Sequence, residues 1–388
     1  MDRNRIVLLL VALLALTALP NASAAFSSSV AGDRLILTQT ADDGLVSIDN
    51  NGAGGEFRVL EGVGTTTFVA ANSLEVLLLD NSHPFLALKF DNPVVRDVVV
   101  DFGNGSRAVS CTGTSNTIGG HLELLGGTGD QTVELAVNAP LSTGGDLRID
   151  LDVGHDIVDE DDRDLTIGGD LLFRGVNSFE NDGTMLVVGN VDVRSNFENQ
   201  ESFFDDDQSL TVLGNFRYKG GPGRDRVFLN GEAGSFFGGN VKIDAGDGPL
   251  AGGEQLLWVN SNTRIAGNLT FTARNSQEDS FDSLSGTIVG GDIVINLGKG
   301  ANEAAIRGRC AGSQISYKGG NGLDSVTCDL LGRETLVKLQ TAGGADTVTL
   351  ENSTNVRKLI IDFGSGVDTF NDLFVLPKPF KTKLKNLP

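Results

Sequence analysis

Cysteine, histidine and proline are all scarce in this chain, and each scarcity removes a class of explanation. Three cysteines, Cys111, Cys310 and Cys328, cannot all pair within one molecule, so no dense disulfide framework holds the fold. Three histidines, His83, His121 and His155, come without the spacing of a zinc site. There is no G-x-S-x-G elbow, no phosphate loop and no paired C-x-x-C. Sustained helical periodicity is missing too: "NSLEVLLLD" (Asn72 to Asp80) comes nearest, and it reads equally well as a buried strand. The apolar run near the start is too short to span a bilayer comfortably, and no later run is long enough either.

Positive charge is also short. Lys and Arg number 30 against 51 Asp and Glu, a formal net charge of −21. Such a surface repels nucleic acid and anionic lipid head groups, which leaves cations, basic proteins, glycans or cell-envelope components as partners. The one basic N-terminal cluster, Arg3 and Arg5, precedes the apolar run Ile6 to Leu16 and the small-residue stretch "NASA" ending at Ala24. That order matches a cleaved signal peptide over 1–24, and predicts an exported protein, extracellular, at the cell surface or in the periplasm, with no transmembrane segment after cleavage.

What the chain has in quantity is turn chemistry. Its 51 glycines sit beside Asn and Asp between short apolar runs, which suits many short strands. "ISYKGGNGLDSVTC" from Ile315, "VKLQTAGGADTVTL" from Val337 and "LIIDFGSGVDTF" from Leu359 place Asp324, Asp346 and Asp368 at one offset, 22 residues apart, with Asn302 one period earlier. Upstream the strand starts recur at Val98, Leu122, Leu147, Leu171, Val191, Phe216, Val241, Leu269 and Ile293, each usually after a small-residue corner such as "TGGDL" or "LGNF". Three short strands and three turns per unit of about 22–25 residues describe one coil of a parallel β-helix. The predicted fold is therefore an all-β solenoid, right-handed by the crossover rule. It comprises an N-terminal cap with early irregular coils over 25–97, parallel coils over 98–372, and a basic Pro/Lys tail over 373–388. In this register Cys111 and Cys328 occupy the inward position that Ile306 and Leu350 take elsewhere, so they pack as small hydrophobes. Cys310 lies further round its coil, badly placed for bonding to Cys328.

The stacked G-[GN]-[DN] corners and alternating short strands resemble the β-helical passenger and adhesin regions of bacterial surface proteins. "KGGNGLDSVTC" (Lys318 to Cys328) and "KGGPGRDRV" (Lys219 to Val227) resemble the G-G-x-G-x-D turns of RTX calcium-binding β-rolls. The second resemblance implies Ca²⁺ held between coils by Asp324, Asp346 and Asp368, extended by Asn302, with Asp225 as an isolated further candidate. Acidic loops at 159–164, 178–182 and 196–207 should gather carboxylates along one side of the stack. Parallel β-helices also host polysaccharide lyases and glycoside hydrolases. The only convergence of histidine, carboxylates and a turn is "VGHDIVDEDD", which makes His155, Asp156 and Asp159 the catalytic candidates. Three readings follow: a structural or adhesive scaffold binding glycan, protein or cations; a carbohydrate-active enzyme; and a calcium-stabilised secreted scaffold.

Overall fold

Apolar residues at every second position bury one face of each short run, and Gly, Asn or Asp then turns the chain before a helix can propagate. In a computed structural model, residues 26–387 are described except for 41–44, 52–55, 62–63, 79–84, 153–155, 161–162, 196–200, 248–253, 275, 313, 331–334, 352–355 and 374–380. All regular structure among them is strand, stacked as a parallel β-solenoid of about 11 turns. The chain divides into two units, Met1–Leu165 and Thr166–Pro388. Residues 1–24, His83 and His155 lie outside the described residues.

In the first unit Val98, Leu122 and Leu147 stand in one column, as the repeat predicts. The parallel stack begins earlier than the clear repeat. Arg34–Gln39 pairs in parallel with Ser73–Leu77, which pairs with Val98–Asp101. Leu45–Asp49 likewise pairs with Phe85–Lys89. Two antiparallel additions made these coils hard to see. Phe26–Ala31 folds back along Arg34–Gln39, and Glu56–Glu61 with Gly64–Ala70 forms an excursion from the coil. The first of these covers the open edge of the initial strand.

In the second unit one unbroken column runs through Leu171, Val191, Phe216, Val241, Leu269, Ile293, Ile315, Val337 and Leu359. A full coil carries three strands, as in Phe216–Lys219, Arg224–Leu229 and Phe236–Phe237. The long strand Ala301–Cys310 then pairs with both Glu278–Ser283 and Ile288–Val289, so it fuses the second and third columns. Later coils keep only two strands, which is why their period tightens to 22 residues. The basic tail is an end cap: Lys381–Lys385 adds a last parallel strand on Val356–Asp362, with Lys385 Nζ 3.0 Å from Asp362.

The core of the second unit is rich in phenylalanine. Phe173, Phe179, Phe204, Phe216 and Phe237 form a chain of contacts with ring centroids 5.0 to 5.5 Å apart. Each fully buried ring stabilises the fold by about 2–3 kcal/mol. All three cysteines are free and buried. Cys328 stands between Ile306 and Leu350, and burial pushes its thiol up to about 12, so it is inert packing.

The glycines of the sharp turn have a packing reason. A Cβ on Gly322 would lie 1.6 Å from the carbonyl oxygen of Gly300 one coil away. Because the obstacle is backbone, Gly322→Ala should destabilise the fold by on the order of 3 kcal/mol. Gly32→Ala is the control, since Gly32 has φ +67° but nothing within 4 Å of its missing Cβ. It should cost only about 1 kcal/mol of backbone strain. Urea midpoints of the two variants check this ordering.

Candidate functional site

The residues singled out by the repeat do come together, in one buried column. In the second unit the register stacks Ser202 on Asp225, then Gln255, Asp279, Asn302, Asp324, Asp346 and Asp368. None of these eight residues is more than 8 % exposed. Hydrogen bonds link several rungs, while Oδ2 of Asp225, Asp279, Asp324, Asp346 and Asp368 is buried without a partner. The Asp225 N–H donates to Gln255 Oε1 at 2.8 Å, and Asn302 Nδ2 donates to Asp324 Oδ1 at 2.7 Å. The Asp324 N–H donates to Asp346 Oδ1, and the Asp346 N–H to Asp368 Oδ1, both at 3.0 Å. The first unit has a short counterpart in Arg107, Gln131 and Asp156, where the Gln131 N–H donates to Asp156 Oδ1 at 2.7 Å.

The two sharp G-G-x-G-x-D copies share a further residue. Both tyrosines of the chain, Tyr218 and Tyr317, precede such a turn, so the full local pattern is Y-K-G-G-x-G-x-D. Tyr218 Oη donates to Asp225 Oδ1 at 2.8 Å from wholly inside the coil. At the other copy, a Cβ on Gly319 would fall 1.8 Å from Asp324 Oδ2 and 2.9 Å from Tyr317 Oη. Only glycine leaves room for the carboxyl to fold back toward the tyrosine.

Burial sets the acidity of this column. It raises Asp225 to about 8, Asp324 to about 7 and Asp279 to about 6, from an ordinary 3.8. Hydrogen bonds from Tyr218 and Ser202 act against the shift at Asp225, and Asn302 acts against it at Asp324. Asp346 is raised as well, again by burial.

The three calcium candidates of the sequence meet in this column. Asp324, Asp346 and Asp368 stand one coil apart; neighbouring donors take the Oδ1 oxygen of each, and the Oδ2 oxygen of each is buried without a hydrogen-bond partner. Among the described residues no three His, Cys, Asp or Glu side chains converge as a metal centre. The catalytic candidates separate: Asp156 is buried in its column, whereas Asp159 sits at the outward position of the strand Ile157–Glu160. Successive strand positions alternate faces, so the two carboxylates do not share a groove.

A second ladder runs along the exposed corner, where the G-[GN]-[DN] residues lie. Asp170, Asn190, Asn215, Asn240, Asn268 and Asp292 each accept, through Oδ1, the N–H of the equivalent residue in the next coil at 2.7 to 2.9 Å. These corners therefore hold coils together rather than hold a ligand.

The outer face of the second strand column offers the surface chemistry. Phe203 and Phe228 lie 5.3 Å apart by ring centroids, and Phe228 is in register with Trp258, which is 38 % exposed. Leu256 and Arg226 complete the strip through the same strands. Carboxylates border it: Asp205 is in register with Phe228, and Asp282 with Trp258. Asp205 is also in register with Glu180, so the segments 178–182 and 196–207 meet at this pair. Burial, reinforced by Asp207, Glu180 and Asp206, lifts Asp205 to about 7. Sequence reading missed the strip because its members come from coils of unequal length.

Among the described residues no helix is long and apolar enough to cross a membrane. No family model matches the chain, and comparison with curated proteins and with solved structures finds no match.

Proposed function

We propose that the protein is an exported structural and adhesive β-solenoid, at the cell surface or outside the cell, that holds glycan on the outer face of its second strand column. The strip of Phe203, Phe228 and Trp258 carries this reading. Half-exposed aromatic rings on a parallel sheet offer apolar platforms for sugar rings, and the bordering Asp205 and Arg226 offer polar groups to hydroxyls, while Asp282 is held by Arg307 at 2.8 Å. Export rests on the composition of residues 1–24. A survey of neutral glycans should find a binder whose affinity falls roughly 30-fold in Trp258→Ala, the loss of one central aromatic contact of about 2 kcal/mol. Unchanged binding in that variant would remove the strip from the account.

A carbohydrate-active reading has one observation in its favour, the stacking of Asp205, with its raised acidity, beside Glu180. Asp205 and Asp282, at the two ends of the strip, are three strand spacings apart. That is about 14 Å, beyond the roughly 5–9.5 Å of paired glycosidase carboxylates. Glu180, one strand spacing of about 4.8 Å from Asp205, is the partner such an enzyme would use, and on the scaffold reading incubation with the bound glycan should release no reducing ends. Release that is abolished by Asp205→Asn would replace the scaffold reading with the enzyme.

A further inference from the structure

The net charge of −21 conceals a basic face. On the first strand column of the second unit, register aligns Arg174, Arg194 and Lys219 on consecutive coils, and Arg217 with Lys242 in the adjoining row. All five side chains point outward. A cavity of about 390 Å³ opens beside the first row, lined by Arg174, Arg194, Ser195, Lys219, Gly220, Gly221 and Pro222. That volume lies within the range of small-ligand pockets, roughly 300–1,000 Å³.

The cations are only partly neutralised by the protein itself. Arg174 has a partner of its own, Arg194 is held by Asp192 at 2.6 Å, and Asp244, next in Lys219's row, is taken by Arg274 at 2.8 Å. Among the described residues Lys219, Arg217 and Lys242 make no ion pair. Stacked strands are about 4.8 Å apart, and like charges at that separation would repel by about 1 kcal/mol even in water. The Y-K-G-G-P-G-R-D turn sharpens this. It points Lys219 out to the cavity while drawing Asp225 inward onto Tyr218, so the nearest carboxyl in sequence does not neutralise the lysine. Gly220 and Gly221 add no side chain to fill the space.

We propose that this groove binds the carboxylate or sulfate groups of an acidic polysaccharide, with Arg174, Arg194 and Lys219 as the contacting row. Guanidinium groups suit such anions through paired N–H donors. A polymer with one charge per sugar or two can seat a few anions on a short row while keeping clear of the acidic loops. Duplex nucleic acid, with a charge every 1.7 Å or so, would meet those loops along its length. No aromatic ring lines the cavity to stack a base. The inference takes its ligand class from the glycan-binding scaffold reading but uses a different face.

The test uses the full chain with dextran sulfate lightly modified to no more than one sulfate per glucose, uncharged dextran of equal length, inorganic sulfate and single-stranded DNA, each at low and moderate salt. Dextran sulfate should bind in a salt-sensitive manner, and Lys219→Glu and Arg174→Glu should each weaken it at least tenfold with an unchanged melting curve. Dextran binding, where present, should be unaffected by these variants, and Trp258→Ala should leave dextran sulfate binding intact. Failure of the aromatic strip therefore shows in dextran alone, and failure of the groove in dextran sulfate alone. Unchanged dextran sulfate binding in both charge reversals would overturn the proposal. So would inorganic sulfate binding as tightly as the polymer, or single-stranded DNA binding equally well and responding equally to the reversals.

Discussion

Raising the pH from about 4 to about 8 should lower the melting temperature of this protein by on the order of 10 °C. The groups responsible are buried carboxyls whose proton affinity rises on folding: Asp206 and Asp279 to about 6, Asp324 to about 7 and Asp225 to about 8, from 3.8. The folded chain then binds more protons than the unfolded chain throughout that window. Their stabilisation is complete below pH 3.8 or so and is lost as pH climbs through the folded values. Each tenfold increase in proton affinity is worth about 1.4 kcal/mol, so a few such groups amount to several kcal/mol. Asp225 faces Ser202, Tyr218, Gln255 and, further off, Asp244, with no cation among them. Asp324 faces Asn302, Tyr317 and Asp346, again without a cation. The opposite sign belongs to Asp362, which Lys385 holds below the usual range, and its contribution disappears only in stronger acid. Thermal melts at pH 4.5, 6 and 8 check the slope, and a flat or rising profile would contradict it.

The second large effect belongs to Asp225 itself. Asp225→Ala strips the hydrogen-bond acceptor from Tyr218, a side chain only 1 % exposed, and opens a gap in the column. An orphaned buried hydroxyl together with a cavity should cost about 3–5 kcal/mol at pH 5. Asp225→Asn keeps an oxygen for Tyr218 and removes the ionisable group. It should be near neutral at pH 5, more stable than the parent at pH 8, and visibly flatter in its pH profile. Column mates already use amides in equivalent places, Gln255 and Asn302. Urea midpoints at the two pH values separate the variants; equal losses for Ala and Asn at pH 8 would mean that the carboxyl works as a charge.

The coil register was legible because two independent signals agreed. The glycine corners marked where each coil turns, and the alternation beyond them marked which residues face in. Val191 and Phe216 could thus be aligned without knowing what lay between. The spacing of Asp324, Asp346 and Asp368 was equally plain. Their role was not, because a turn aspartate can close a ladder or present a cation site with the same spacing. Direction depends on whether the space over Gly319 is empty, and only the packed coil reveals that. The column further up was hidden by chemistry, since Ser202, Gln255 and Asn302 do the same work with different side chains. The basic face was hidden by summation: Arg174, Arg194 and Lys219 are 20 and 25 residues apart and vanish into a net charge of −21. The early coils were obscured by the antiparallel excursion of Glu56–Glu61 and Gly64–Ala70, which breaks the period without breaking the stack.

The central claim is that the aspartates of the G-G-x-G-x-D turns are inward rungs of a hydrogen-bonded column, and the most direct test is calcium. Protein stripped of divalent ions should be melted at pH 7.5 with and without millimolar Ca²⁺, beside Mg²⁺ at equal ionic strength and beside Asp346→Ala. If the hydrogen bonds to Oδ1 of Asp324, Asp346 and Asp368 are the whole role of these carboxyls, and their unpartnered Oδ2 atoms take no cation, calcium should move the parent's melting temperature no more than magnesium does. Asp346→Ala should be less stable by the same amount in either ion. A rise specific to calcium in the parent and absent in Asp346→Ala would contradict the ladder and establish a calcium-stabilised scaffold in its place.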